Sequence, residues 1–381
     1  MGYRYFKEEH EIFRKQVRDF CEQELAPHAE EWEAAGIFPR WVFEKAGELG
    51  FLGIRYPEQY GGSNCDYWYT VVFAEEMPRA QSAGVALGLM VQTDMCTPAI
   101  VAHGTEEQKQ EFLVPAIQGK KIGAICVTEP GAGSDVAAIR STAKKDGDYY
   151  IINGSKTFIT NGTRADWLTL AVKTKPDKGY SGVSLFLFPT NTPGFTVTRK
   201  LNKLGNRSSD TAELSFEDCK VHQKYLLGEE NKGFYYIMEG FQYERLVGAV
   251  GGISGAQLLL AQTIKYCQER SVFGKPISAH QANAHAIVNF ATELEAAQAL
   301  VYHCSDMVAR GENALKEVSM CKLFVGELAV RVADFCVQMH GGYGYIEEYK
   351  AARAFRDTKL ITIGGGSSQV MREIIARLMQ L

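Results

Sequence analysis

The sequence has no C-x-x-C pair, and its nine cysteines stand singly along 381 residues. An odd number cannot all pair, which argues against a disulfide framework and for a reducing, cytoplasmic setting. The eight histidines show no ligand spacing: His280 and His285, five apart, fall on different faces of a helix, so no metal is expected. An excess of one charge is lacking too. A net charge of −4 leaves no dominant basic patch and argues against a nucleic-acid partner. Gly, Gln, Lys and Glu interrupt the apolar runs, so none is expected to span or insert in a membrane. The first twenty residues are too charged for a signal peptide and read as an amphipathic helix. No internal repeat or low-complexity segment is visible. What is there, 46% hydrophobic residues over this length, suffices for two or three packed domains.

Hydrophobic periodicity divides the chain in three. Residues 1–120 carry apolar residues at three-to-four spacing over Tyr5–His28, Pro39–Leu49, Asp66–Met77 and Ala83–Ala102. His103-Gly104 stops the last of these, and Thr105 caps a further helix through Ile117. Over 121–232 the period becomes that of strands: WLTLAVKT, VSLFLFPT, FTVTRKL and TAELSFEDCKV alternate with Gly, Asn, Asp and Pro turns. Over 233–381 the helical period returns and predicts a four-helix bundle. The expected fold is therefore α+β: an N-terminal all-helical domain, a middle antiparallel β-domain of barrel or sandwich type, and a C-terminal helical bundle. Gly248, Gly251, Gly252 and Gly255 lie within one helix of the last part. Each costs about 1 kcal/mol relative to alanine, which predicts close approach by another helix or a ligand.

The most informative stretch runs from Cys126 to Gly162. Its strand-like start leads into Pro130 and the turn Gly131-Ala132-Gly133, followed by Ser134 and Asp135. Glycines allow close backbone approach to a ligand, and free N–H groups there suit phosphate oxygens. The second half, DYYIINGSKTFITNG, reads as a β-hairpin turning at Asn153-Gly154. TEPGAGSD and KTFITNG together resemble the flavin cradle of the acyl-CoA dehydrogenases. ERSVFGKPI (Glu269–Ile277), QMHGGYGY (Gln338–Tyr345) and GGGSSQVMREIIAR (Gly364–Arg377) follow in that family's order. The resemblance spans the whole chain.

It implies an FAD cofactor and a homotetramer built as a dimer of dimers. It also implies acyl-CoA α,β-dehydrogenation, with electrons passed to an electron-transfer flavoprotein. Cys126, Val127 and Thr128 would lie along the flavin's pyrimidine side, with Gly133 and Ser134 near the phosphates. Phe158 would cover a ring face where many relatives carry Trp, with Ile159 beside it and Thr160 near the nitrogen that takes up hydride. The plain alternative for Phe158 and Thr160 is a half-buried strand. Arg270, Phe273 and Gln281, with Gln338, Gly341 and Gly342, would reach a flavin held by a neighbouring subunit. Ser367 and Gln369 match positions that touch the flavin. Ser134, Arg245 and Gly364 match positions at the substrate.

Many relatives place a catalytic Glu where this chain has Gly365; the isovaleryl- and long-chain-type relatives use one on the long helix instead. Glu244 stands there and is the expected base, the alternative being a helix-surface acid paired with a basic neighbour. Gly365 would offer its N–H to the thioester carbonyl. Asp94 has three readings: a structurally paired acid, a contact to a functionalised acyl group, or a second base for a cyclic or branched acyl-CoA of the cyclohexene-carboxyl type. An acyl-CoA oxidase and a flavin-bound, non-catalytic homologue are the further alternatives, the second being the less supported.

Overall fold

The computed structural model describes residues 5–381. The helices α1 (Glu8–Asp19), α2 (Ala29–Ala35), α3 (Trp41–Glu48), α4 (Tyr67–Glu76), α5 (Ala83–Met90), α6 (Pro98–His103), α7 (Glu106–Gln108) and α8 (Val114–Ile117) come first. Their ends follow local chemistry. Asp66 accepts a hydrogen bond from the Trp68 N–H at the start of α4, and Thr105 and Gln108 form a reciprocal capping box at α7. Helix α2 ends at Gly36 in the left-handed conformation, φ +67°. Between α5 and α6 the chain widens into a π-turn, Val91–Cys96, whose Thr97 hydroxyl donates back to the Gln92 carbonyl. Such widened turns often mark functional sites, and this one turns Asp94 inward.

The strands are β1 (Gly123–Cys126), β2 (Thr142–Asp146), β3 (Tyr149–Thr160), β4 (Trp167–Lys173), β5 (Val183–Pro189), β6 (Phe195–Lys200), β7 (Thr211–His222) and β8 (Leu226–Leu227). They form one sheet in the order β6-β7-β3-β2-β4-β5-β8, with β1 paired to β4. Pairing is antiparallel except at β4, where β1 and a single pair from β2 run parallel. The residue pattern explains the depth: six of the seven β4 and β5 positions are buried in each strand, so both their faces are covered.

Asn153-Gly154 is not a hairpin turn. The turn lies at Gly147-Asp148, and β3 runs unbroken through Asn153-Gly154, with a bulge between Ile152 and Gly154 against β7. The side chain of Asn153 bonds Asp218 on β7 twice, and Gly154 sits at φ +148° with Ser141 so close that a Cβ would meet its hydroxyl at 2.2 Å. The same two residues serve a turn or a bulge; pairing with β7 selects the bulge.

The last part is helical, with a two-stranded ribbon of β9 (Ser271–Val272) and β10 (Lys275–Pro276) inserted between its first two long helices. It comprises α9 (Gly233–Glu269), α10 (Gln281–Ala309) and α11 (Leu315–His340), with the short α12 (Lys350–Thr358) and α13 (Ser368–Leu378). Both short helices pack along α11, while α4 of the first part packs against α9 and α10. The glycines of α9 divide by role. A Cβ at Gly252 would lie 2.3 Å from Ile361, so another segment does approach closely there. At Gly248, and at Gly240 two turns earlier, nothing lies within 4 Å.

The membrane expectation needs correcting in one respect. Residues 83–103 and α9 are each long and apolar enough to cross a bilayer. Their apolar side chains instead line the protein core: Val85, Leu89 and Ile100 in the first, and Leu246, Val250, Ile253 and Leu260 in the second.

Candidate active site

The segment Cys126–Ala132 and strand β3 are locked together by a buried ion pair. Lys156 Nζ lies 2.8 Å from Glu129 Oε1 and also donates to the Val127 carbonyl at 2.9 Å. Glu129 further accepts the backbone N–H groups of Arg140 and Ser141, and the Thr157 N–H donates to the Thr128 carbonyl at 2.9 Å. Burial works against both charges. Lys156 stays below its ordinary value, while its ammonium overcomes the burial of Glu129 and holds that carboxyl low. On this base stands an exposed surface. Gly133 and Ser134 are exposed, and no atom lies within 4 Å of a Cβ built at Gly131 or Gly133. Phe158, at a second β3 irregularity with φ +60°, is 68% exposed. A large ring held off the sheet by a left-handed backbone suits stacking on a flat heterocycle. Ile159 is buried, Thr160 half-buried, and the Cys126 thiol, buried in β1, is pushed up to about 12.

Neither Glu129 nor Lys156 stands out in the sequence as the pair that holds the two motifs together, although each is a charge within one of them.

A second cluster gathers Glu244, Arg245, Lys322, Gly365 and Gly366. Glu244, one turn from both open glycines of α9, is half-buried, and loss of water raises its pKa to about 7. Arg245 and Lys322 pull that value down, and Asp94 pushes it up. Gly365 has φ +64°, and a Cβ there would lie 3.2 Å from Glu244 Oε1. The Gly365 carbonyl accepts from Arg245 Nε at 2.9 Å, and the Gly366 carbonyl from Lys322 Nζ. Arg245 thus holds the turn, while Gly364 is exposed. Ser367 caps α13 by accepting from the Val370 N–H, and Gln369 is exposed. Lys322 was not foreseen; one lysine in a helical pattern reads as a solvated side chain.

Asp94 is 4% exposed and paired: Arg55 Nη2 lies 3.2 Å from one oxygen, and the Thr93 hydroxyl donates to the other at 2.6 Å. Burial raises its pKa and Arg55 opposes that. The Arg55 guanidinium lies over the rings of Tyr243 and Tyr67, at 5.0 and 5.5 Å. The Gln92 side chain, in the same π-turn, accepts from the Gly123 N–H at 2.7 Å and so ties β1 to this acid. Beside it the buried Tyr67 hydroxyl has no hydrogen-bond partner among the described residues. An unsatisfied buried hydroxyl costs about 1–3 kcal/mol, so Tyr67→Phe is expected to raise the urea midpoint. A lowered midpoint would show that the hydroxyl is bonded in solution.

The third set lies elsewhere. Arg270, Phe273 (97% exposed), Gln281, Gln338, Gly341 and Gly342 are exposed around the C-terminal ends of α9 and α11, joined where Tyr266 stacks on His340 at 4.3 Å. Arg270 follows Glu244 by 26 residues of nearly continuous helix, about 40 Å at 1.5 Å per residue. The structure therefore does not bring this set to Glu244 within one chain.

One group of potential metal ligands occurs among the described residues, Glu9, His10 and Asp66. Both His10 nitrogens are engaged, one accepting from the Lys7 N–H and the other facing Asp66.

A helical–sheet–helical chain with a glycine-lined, aromatic-faced cradle and a separate half-buried carboxylate defines a flavin-type oxidoreductase framework. Comparison with known proteins narrows it. Models of the acyl-CoA dehydrogenase N-terminal, middle and C-terminal domains match residues 7–120, 124–219 and 231–380. The chain is 41% identical over 376 residues to the pig (Sus scrofa) mitochondrial long-chain specific acyl-CoA dehydrogenase, covering 98% of this chain and 87% of that one. It is 40% identical over 377 residues to the caffeyl-CoA reductase-Etf complex subunit CarC of Acetobacterium woodii, covering 98% and 99%. The crystal structure of an acyl-CoA dehydrogenase from Geobacillus kaustophilus superposes with a TM-score of 0.96 at 45% identity, covering 99% of this chain and all of that one. The chain belongs to the acyl-CoA dehydrogenase family. It is an FAD-dependent enzyme of that family, and its exposed Phe158 and open glycine turn fit the cofactor.

Proposed function

We propose that the enzyme removes the α-proton of an acyl-CoA thioester with Glu244 and yields the α,β-enoyl-CoA. The observation that carries this reading is a half-buried carboxylate raised to about 7 against the Gly364–Gly366 turn. A base poised near working pH combines a useful ionised fraction with proton affinity. Bound FAD supplies the acceptor for the β-hydride. Phe158 and the 126–134 segment would hold its ring, and Thr160 would offer its hydroxyl to it. The Gly365 N–H polarises the thioester carbonyl, a donor typically worth about 3 kcal/mol in the transition state. Arg245 holds the turn that carries this N–H. Asp94, already neutralised by Arg55, selects the acyl group instead of acting as base.

Electrons then pass to an electron-transfer flavoprotein, a reading supported by the Etf complex of the Acetobacterium relative. The reading divides the chain at 120/121 and 232/233, and all nine free thiols suit a reducing cytoplasm. Anaerobic addition of a saturated acyl-CoA should bleach the flavin. A panel of straight, branched, cyclic and dicarboxylic acyl-CoAs that leaves it oxidised would overturn the reading.

The exposed set at the far end of α9 and α11 serves the flavin of a neighbouring subunit in a homotetramer. Its distance from Glu244, about 40 Å along the helix, supports this. Arg270→Ala should therefore weaken FAD retention and assembly together, read by flavin absorbance and sedimentation at high dilution. Full FAD and unchanged mass would remove Arg270 from the shared site.

A further inference from the structure

We propose that Lys322 is a positioning residue: its ammonium and Arg245 clamp the Gly364–Gly366 turn against Glu244, and turnover requires the Lys322 proton. This deepens the reading of Glu244 as base and rests on it. The geometry is that of a two-point clamp. Two successive carbonyls, of Gly365 and Gly366, are each taken by a cation from a different helix, Arg245 on α9 and Lys322 on α11. Both glycines have left-handed backbones, φ +64° and +100°, and no side chains of their own to anchor the turn. A Cβ on Gly365 would approach Glu244 to 3.2 Å, so any displacement of the turn changes the spacing between carboxylate and bound thioester.

Lys322 is 4% exposed, and an uncharged amine there would no longer hold the carbonyl as a charge-assisted donor. The charged groups facing it are Glu244 and Arg245 from α9. Asp94 acts on Glu244 from the π-turn, the 364–371 segment contributes no ionisable side chain, and the neighbouring Cys321 thiol is pushed up and stays neutral. Burial and Arg245 lower Lys322 to about 8, against the pull of Glu244. The competent state, Glu244 ionised and Lys322 protonated, is therefore bounded on the acid side by Glu244 and on the alkaline side by Lys322.

The test uses FAD-loaded wild type, Lys322→Arg and Lys322→Met, with anaerobic flavin reduction followed against pH. Wild type should give a bell with limbs near 7 and 8. Lys322→Arg, permanently charged, should keep the acid limb and lose the alkaline one. Lys322→Met should also lose the alkaline limb, move the acid limb upward, and slow the optimum about tenfold or more, as expected for a lost bond to a charged donor. Where Lys322→Met does not fold, the arginine variant decides. Melting supplies a readout independent of chemistry. Lys322 has a folded value below its ordinary 10.5, so the folded state binds fewer protons between about 8 and 10.5. Wild type should gain stability over Lys322→Arg as pH rises through that range. An alkaline limb near 8 retained in Lys322→Arg, or melting curves that stay parallel, overturns the proposal. Full activity in Glu244→Gln would overturn the base assignment alone, leaving the melting difference to report on Lys322.

Discussion

Glu244→Gln should slow anaerobic flavin reduction by a saturated acyl-CoA about 10²–10⁴-fold, the usual loss for a removed general base. The amide keeps size and polarity and removes only basicity. Because burial raises Glu244 to about 7, the wild-type rate should climb as pH rises through that value. The stability effect has the opposite sign. A carboxyl whose folded value exceeds its ordinary 4.5 binds protons more tightly when folded, so stability falls as pH rises between the two values. At pH 8 the uncharged glutamine variant should therefore melt above wild type. Asp94→Asn should mainly alter acyl-group preference, since Arg55 already partners that acid. Stopped-flow bleaching of both variants, on a saturated acyl-CoA and on cyclohexene-carboxyl-CoA, separates the two acids. Glu244→Gln reducing as fast as wild type on both would end the assignment, and the inverse pattern would hand the role to Asp94.

Lys156→Met should destabilise the protein by about 3–5 kcal/mol and release FAD. Breaking a buried pair from one side strands the other charge. Here the stranded group is Glu129, 7% exposed, which also holds two backbone N–H groups of the segment after the glycine turn. Glu129 is depressed below its ordinary 4.5, so its contribution is present above that value and lost as acid protonates it. Urea unfolding at neutral pH and flavin absorbance after desalting give the two readouts. The double change Lys156→Met with Glu129→Leu should recover part of the stability, because no charge is then left unpaired. A single variant within about 1 kcal/mol of wild type and retaining FAD would show that the pair does not hold the cradle together.

Much of this architecture was readable because its causes are local. Thr105 and Asp66 cap the helices they were expected to start or precede, since a side-chain oxygen next to free N–H groups needs no distant partner. Asn153-Gly154 shows the limit of local reading. A positive φ at glycine satisfies a hairpin turn and a bulge alike, and only the bonds from Asn153 to Asp218, 65 residues away, decide between them. Asp94 shows it again, because its partner Arg55 stands 39 residues earlier.

The sequence by itself determined the alternation of helical, strand and helical segments, the FAD-type cradle by resemblance, and Glu244 as the candidate base. Periodicity and motif spacing are properties of neighbouring residues. The tertiary structure decided which charges are buried, which are paired and which remain to react. Lys156 and Lys322 read as ordinary lysines until Glu129 and the Gly366 carbonyl are placed beside them. The Glu244 carboxyl rises to about 7 only because, in the fold, loss of water outweighs the pull of Arg245 and Lys322. Desolvation depends on everything that packs around a group, and that sum is written in no single stretch of chain.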